Sequence, residues 1–253
     1  MSKNVLHALL AVEPDLVQGA QNLVAETIST FSKKGDHFDG LQKVYKPFSD
    51  DASTEQIPPE VKEVVTTVKE KIDFTKEFVI KALDATLSKE ETNSSGGAVA
   101  KLEIEGKDFG TFSATSFLAL ERNLLRLREM YKAIPTLDPT TKWDTETQSG
   151  RNLYVSPQEV RFRSVRQQKP ITLAPATDKH PAQVQIFQED VQVGKYETVY
   201  FSGKISVKEK SEYLGRLDNL ILAVKRAKEE ANRAEVKQVH VGENIFKYIQ
   251  GEK

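Results

Sequence analysis

Four basic side chains fall within nine residues in the second half of the chain, and this density could attract an anionic partner. They are Arg161, Arg163, Arg166 and Lys169. On a β-strand, Arg161 and Arg163 would lie on one face about 7 Å apart, because side chains alternate between faces. This separation is near the spacing of successive phosphates along a single nucleic-acid strand. The pattern therefore predicts a basic strand that could bind nucleic acid.

Solubility or an acidic protein partner would account for the same four charges. An exposed strand often carries basic residues that oppose edge-to-edge aggregation, and we favour this interpretation. An acidic protein is the second kind of partner that such a strand would bind. Nucleic-acid binding through the basic strand is therefore an alternative function, and it is not the leading one.

Two serines, Ser113 and Ser202, stand where the chain is expected to leave a strand for a helix, a place where a nucleophile could be exposed. The Gly-x-Ser-x-Gly elbow of hydrolases is absent from the sequence, although Asp178 and His180 offer a carboxylate and an imidazole. Capping of a helix N-terminus explains either serine without catalysis. A hydrolase of unknown substrate is accordingly a third hypothesis.

Metal and cofactor patterns are weak. Asp36, His37 and Asp39 lie within four residues, but their spacing matches no calcium or zinc loop, and a solvated turn after a helix is the better interpretation. Neither glycine-rich phosphate loop occurs, and the chain has no cysteine. We therefore assign no catalytic, metal or cofactor residues, and the sequence leans towards a non-enzymatic protein.

Composition limits the class of partner. The 253 residues carry 36 Lys and Arg against 37 Asp and Glu, so no net field attracts the whole molecule to nucleic acid or to an anionic membrane. No apolar stretch approaches the roughly 20 residues that cross a bilayer. Without cysteines for disulfides, the default compartment is the cytoplasm. We expect a cytoplasmic protein with no membrane partner.

The elements that would position these residues form a repeated pattern. A hairpin signal runs into an amphipathic helix near residues 98–134, and again near 182–234. In the second copy, we expect the two hairpin strands at 184–187 and 196–201. In both helices the apolar residues recur every three or four positions, which predicts one buried stripe.

Two further helices are predicted before these units, one over residues 16–31 and one starting at Pro59, with a turn-rich loop over 35–59. Together, these helices and hairpins predict an α+β fold, with N-terminal long helices followed by two hairpin-plus-helix units around antiparallel sheet. The expected divisions are a helical region at 1–95, the first hairpin-plus-helix unit at 96–136, a linker at 137–158 that contains Trp143, and a β-rich region with a long C-terminal helix at 159–253.

Self-association is the leading functional hypothesis. Both amphipathic helices carry wider apolar stripes than one contact face requires, and the second hairpin is rich in Gln and Tyr with few charges. Tyr196 and Tyr200 are the candidate partner-binding residues on its outer face, alongside the four basic residues. The sequence therefore favours a structural or interaction protein that forms a homo-oligomer.

Overall fold

The computed structural model describes residues 6–49, 56–94, 97–147, 150–176, 181–233, 241 and 245. The fold is α+β, about 48% helical and 31% strand, which confirms the predicted class. Within the described residues the α-helices are α1 (Leu6–Lys33), α2 (Val68–Asn93), α3 (Ala114–Ala133) and α4 (Val207–Ala231). The predicted helix over 16–31 is thus the central part of a longer α1, which continues through Pro14.

Two antiparallel sheets accompany the helices. The strands are β1 (Asp39–Pro47), β2 (Glu60–Lys62), β3 (Val99–Ile104), β4 (Lys107–Ser113), β5 (Asp144–Thr145), β6 (Tyr154–Val155), β7 (Glu159–Ala174) and β8 (Gln183–Ser202). One sheet has the order β2-β1-β8-β6-β5, with β7 also paired to β8, and the other is the hairpin β3-β4. The first predicted hairpin-plus-helix unit is β3-β4-α3, whereas the hairpin before α4 is formed by β7 and β8 and begins well before the predicted residue 182.

Contacts between Cα atoms divide the chain into two compact units, and each helix contributes one stretch to each unit. The first unit comprises residues 1–22, 78–129 and 214–253, and the second comprises 23–77 and 130–213. The successive divisions expected near residues 95, 136 and 158 stay a prediction.

The first unit is built around the β3-β4 hairpin. The alternating sequence of β3 buries Ala100 and Leu102 and exposes the residues between them, as a period of two predicts. These two side chains belong to one apolar core with residues of α3 and α4, namely Phe117, Leu124, Ile221, Val224, Ala227 and Ala231. One face of this hairpin is therefore covered by helices of its own unit.

A buried polar cluster fixes the junction between β4 and α3. The Glu91 carboxylate accepts hydrogen bonds from the Ser113 backbone N–H at 2.8 Å, the Ser113 hydroxyl at 2.9 Å and the Ser116 hydroxyl at 2.5 Å. Burial tends to raise the pKa of Glu91, but the N–H of Ser113 and the two hydroxyls outweigh it and hold the pKa below the usual value. The short hairpin is thus anchored by packing and by hydrogen bonds.

The second unit is built around the six-stranded sheet. Its buried residues include Phe38, Val68, Ile134 and Ile205, and the rings of Phe31 and Phe38 lie 5.8 Å apart between centroids. A buried hydrogen bond of 2.9 Å joins the hydroxyls of Thr27 and Thr75, which satisfies both polar groups inside the apolar core.

The region before α2 differs from the prediction. The expected loop over 35–59 contains the 3-10 turn Gly35–Phe38 and strand β1, and the helix expected from Pro59 begins at Val68. The physical cause is a capping box, in which Thr67 Oγ1 accepts from the Glu70 N–H at 3.1 Å and Glu70 accepts from the Thr67 N–H at 2.8 Å. The helix start that we predicted at Pro59 is therefore wrong.

The second hairpin also differs in the position of its turn. Residues 184–187 and 196–201, expected as two paired strands, belong to the single strand β8, which pairs with β7 along most of its length. Gly194 lies inside β8 between these two segments, and any Cβ there would stand 2.4 Å from the Tyr45 hydroxyl. The ring of Tyr45 thus occupies the space that a side chain would need.

Candidate functional site

The outer part of the β7-β8 hairpin is the most unusual surface of the second unit. We call residues 164–174 of β7 and 183–192 of β8 the arm. No residue of the arm is buried, and nearly all are exposed. At about 3.3 Å per residue, the arm extends for roughly 35 Å as a two-stranded ribbon. A ribbon of this kind, uncovered on both faces, is only marginally stable in water.

The arm exposes large apolar side chains. Their relative exposures lie between 40% and 62%, which leaves about half of the surface of these side chains in water. They are Val165, Ile171, Leu173, Val184, Ile186 and Phe187. Such side chains contribute little to subunit stability until another surface covers them.

The four basic residues predicted as a partner site lie along β7, and each has a neighbour in the same chain. Arg161 lies 3.4 Å from Glu159, Arg166 lies 3.4 Å from Asp190, and Lys169 lies 3.0 Å from Glu189. The guanidinium of Arg163 stacks over the Tyr45 ring, 5.5 Å from its centroid. The cation cluster that the sequence indicates is therefore largely balanced by charges of the same hairpin.

The two predicted tyrosines are separated from the arm by a β-bulge. The register shifts between Arg163 and Ser164, so that the Gln188 and Gln192 positions face away from the Tyr196 and Tyr200 positions. Tyr196 packs on Tyr45, with ring centroids 5.1 Å apart, and Tyr200 lies nearer the end of β8. The structure thus does not bring Gln188 and Gln192 onto the face that carries Tyr196 and Tyr200.

Tyr200 lines a pocket of about 570 Å³ in the second unit. The pocket is bounded by the ends of β1 and β8, the turn 156–159 and the loop 138–143. At its floor, the Asp39 carboxylate accepts a hydrogen bond from the Ser202 hydroxyl at 3.1 Å and pairs with the Lys204 ammonium at 2.5 Å. The polar floor therefore joins residues that lie far apart in the sequence.

Asp138 organises the loop that forms the opposite wall. Its carboxylate accepts from the Thr140 hydroxyl at 2.7 Å and the Thr140 N–H at 2.8 Å, and its carbonyl accepts from the Trp143 indole at 3.0 Å. The Thr140 hydroxyl, then its N–H, and the positive charge of Lys204 hold the pKa of Asp138 below its usual value. The Trp143 ring is thereby fixed at the rim of the pocket.

The two serines considered as nucleophiles have structural hydrogen bonds. Ser113 caps α3, because its hydroxyl accepts from the Ser116 N–H at 3.3 Å. Ser202 does not cap α4, whose first turn is capped by Ser206 through the Glu209 N–H at 3.1 Å. Asp178 and His180, which we considered as triad partners, lie outside the described residues.

The loop residues considered for a cation are separated by their contacts. Asp39 faces Ser202 and Lys204, and the His37 carbonyl accepts the N–H groups of Val65 and Thr66. Across the described residues, no group of three or more metal-binding side chains occurs. Within the same part of the chain, none of the helices has both the length and the apolar character to cross a membrane.

Sequence reasoning missed Asp39, Lys204 and Asp138 as parts of one site. Trp143 was noticed in a linker, and its isolation in such a polar segment was the one signal that could have pointed to the pocket. Asp39 and Lys204 are 165 positions apart and come together only through the pairing of β1 with β8.

Comparison with curated proteins and with solved structures finds no significant match. One family model matches residues 3–252, almost the whole chain. The protein therefore belongs to DUF7873, a family of unknown function.

Proposed function

We propose that the protein is a non-enzymatic structural or interaction protein that forms a homo-oligomer through the arm. The observation that carries this proposal is the set of six large apolar side chains exposed on a ribbon that no described segment of the chain covers. Exposed apolar surface of this extent marks an interaction site more often than a solvated one.

The backbone of the arm supports the same conclusion. Among the described strands, β7 pairs only with β8, and residues 183–192 of β8 pair only with β7. Both outer edges therefore present N–H and C=O groups that another strand can pair with. A second ribbon would satisfy these groups and cover the apolar side chains together.

Charge favours a second copy of the chain as that partner. Within the described arm, the cations Arg166 and Lys169 are balanced by the anions Glu189 and Asp190. A neutral surface has no surplus attraction for nucleic acid or for an acidic protein. Two neutral arms related by a twofold axis can meet without like-charge repulsion and bury equivalent residues on both copies.

Nucleic-acid binding by the basic strand remains the alternative proposal. It is supported by the high exposure of Arg161, whose side chain is 77% accessible, and by the residue's position outside the arm. A salt-dependent mobility shift with an oligonucleotide would support it, because phosphate contacts release counterions.

The decisive experiment compares two valine variants. Val184 on the arm and Val207 at the start of α4 are equally exposed, at 52% each. We expect the wild-type chain to sediment as an oligomer at micromolar concentration, Val184→Asp to sediment as a folded monomer, and Val207→Asp to remain assembled. A monomeric wild type, or equal dissociation of both variants, would contradict assembly through the arm.

A further inference from the structure

The pocket beside Trp143 is a second feature that assembly through the arm does not explain. Its volume of about 570 Å³ falls within the usual range of small-molecule sites, about 300–1,000 Å³. It lies entirely within the second unit, and its lining includes the aromatic residues Trp143, Tyr200 and Phe201 together with charged and hydroxyl side chains. From its lining we infer that this pocket binds a neutral saccharide.

The walls are fixed before any ligand arrives. Asp138 stabilises the loop 138–143 through three hydrogen bonds. Its carboxylate accepts from the Thr140 hydroxyl and N–H, and its backbone carbonyl accepts from the Trp143 indole N–H. The other wall is tied by Ser156, whose hydroxyl accepts from the Tyr200 N–H at 3.0 Å and whose own N–H donates to the Tyr200 carbonyl at 2.9 Å. A ligand therefore meets preorganised groups and loses less free energy in ordering them.

The charges in the lining disfavour an anionic ligand. Three carboxylates, Asp39, Asp138 and Glu159, face two ammonium groups, Lys142 and Lys204. Lys204 already pairs with Asp39 at 2.5 Å. A nucleotide or another phosphate ligand would meet a net negative lining, with one of its two cations already in an ion pair.

The charged and hydroxyl side chains of the lining disfavour a lipid, because an acyl chain would remove them from water without offering hydrogen bonds in return. The pocket therefore selects a ligand with many hydrogen-bonding groups and no net charge.

A neutral saccharide meets both requirements, because it has many hydrogen-bonding groups and no net charge. Its hydroxyls both donate and accept, so they can bond to carboxylates, ammonium groups and threonine hydroxyls at the same time. The C–H faces of a sugar ring pack on aromatic rings, which Trp143 and Tyr200 provide. Moreover, the Tyr200 hydroxyl has no hydrogen-bond partner among the described residues and can bond to a sugar.

The chain supplies its own reporter, because Trp143 is its only tryptophan. The full-length protein is titrated with maltohexaose, cellohexaose, xylohexaose and chitohexaose, and Trp143 fluorescence is recorded. We expect a saturable change with at least one of these neutral oligosaccharides. ATP and oleate serve as the anionic and lipid comparisons, and neither should compete with the oligosaccharide.

Two variants locate the binding. Tyr200→Ala should weaken the titration about tenfold, which corresponds to about 1.4 kcal/mol. Phe48→Ala removes an exposed aromatic residue that does not line the pocket, and it should leave the affinity unchanged. Circular dichroism of both variants checks that they remain folded.

Three results would overturn the saccharide site. These are no saturable change with any of the four oligosaccharides up to about 10 mM, tighter binding of ATP or oleate at the same site, and an oligosaccharide affinity that folded Tyr200→Ala leaves intact. None of them bears on assembly through the arm, which is measured by sedimentation.

Discussion

The β3-β4 hairpin and the β7-β8 arm are both antiparallel ribbons with alternating apolar side chains, but their surroundings differ. In the first, Ala100 and Leu102 enter a core with residues of α3 and α4. In the second, residues of similar character, such as Ile186, face solvent within the described chain. The short hairpin is covered by helices of its own unit, whereas no described segment of the chain covers the arm.

The difference indicates which hairpin stabilises the folded chain and which one is available for the proposed assembly. The buried hairpin contributes to the folding of its unit through apolar burial and the Glu91 cluster. The arm contributes little to a lone subunit, because its apolar groups stay hydrated until a partner covers them. Substitutions in the two hairpins should therefore have different consequences, and the following four predictions test this comparison.

The largest expected contrast is between Leu102→Asp and Ile186→Asp. Leu102 is 3% exposed and Ile186 is 61% exposed. A carboxylate in the core should cost about 3–5 kcal/mol of unfolding free energy, through lost packing and an unpaired buried charge. Urea unfolding followed by circular dichroism should show this loss for Leu102→Asp, whereas Ile186→Asp should unfold cooperatively as a monomer. Comparable destabilisation by both would show that the arm is part of the subunit core.

The second contrast concerns the anchor of the short hairpin. Glu91→Ala removes the acceptor shared by Ser113 and Ser116, both of which are buried. Leaving these donors unsatisfied should lower the unfolding free energy by about 1–3 kcal/mol. Glu189→Ala on the arm is the matched carboxylate, and it should change the unfolding midpoint little because its partner Lys169 is exposed. A reversed order of the two effects would contradict the anchoring role of Glu91.

A smaller effect is expected from two exposed lysines. Lys101 pairs with Glu103 and Asp108 in the short hairpin, and Lys169 pairs with Glu189 in the arm. Each exposed pair should contribute little to the stability of a lone chain, because water screens exposed charges. If the arm is covered on assembly, Lys169→Ala should weaken the oligomer measurably, whereas Lys101→Ala should leave its dissociation constant unchanged. Analytical ultracentrifugation over a dilution series measures the difference.

The smallest effect concerns the acid stability contributed by Glu197, which lies in the part of β8 that pairs with β1. Lys195 and then Lys46 lower the pKa of Glu197 to about 2, from an ordinary value of 4.5. Because the folded pKa is depressed, the stabilisation is complete above pH 4.5 and is lost as the pH falls towards 2. Glu197→Gln should therefore reduce the fall in thermal unfolding midpoint over this window. An unchanged pH profile would contradict the role of the two lysines.

Local patterns predicted those elements whose environment follows from their own sequence. The period of two in Val99–Ile104 matches β3, and the three- and four-residue spacing from Phe117 matches α3, because each buries one face in the way its period requires. The start of α2 was also readable, since Thr67 and Glu70 have the spacing of a capping box. The proline at position 59 predicts an earlier helix start, but residues 60–62 pair with β1 as a strand.

Other features depended on partners distant in sequence. Glycine is common in turns, but Gly194 lies inside β8. The ring of Tyr45 on the neighbouring strand occupies the space that a side chain at this position would need. The bulge opposite Arg163 reverses the faces of the β8 residues beyond it. Gln188 and Gln192 therefore do not share a face with Tyr196 and Tyr200, although even spacing in the sequence suggests that they would. The paired charges of the arm likewise depend on a register that only strand pairing sets.

The sequence by itself determined the α+β class, the first hairpin-plus-helix unit and the apolar stripes of the helices, because periodicity is a local property of the chain. Only the tertiary structure decided which apolar residues are covered and which polar residues meet. Ile186 and Leu102 are both apolar strand residues, and one is exposed while the other is buried. Asp39 and Lys204 form an ion pair because β1 lies beside β8, a non-local pairing whose register no local pattern encodes.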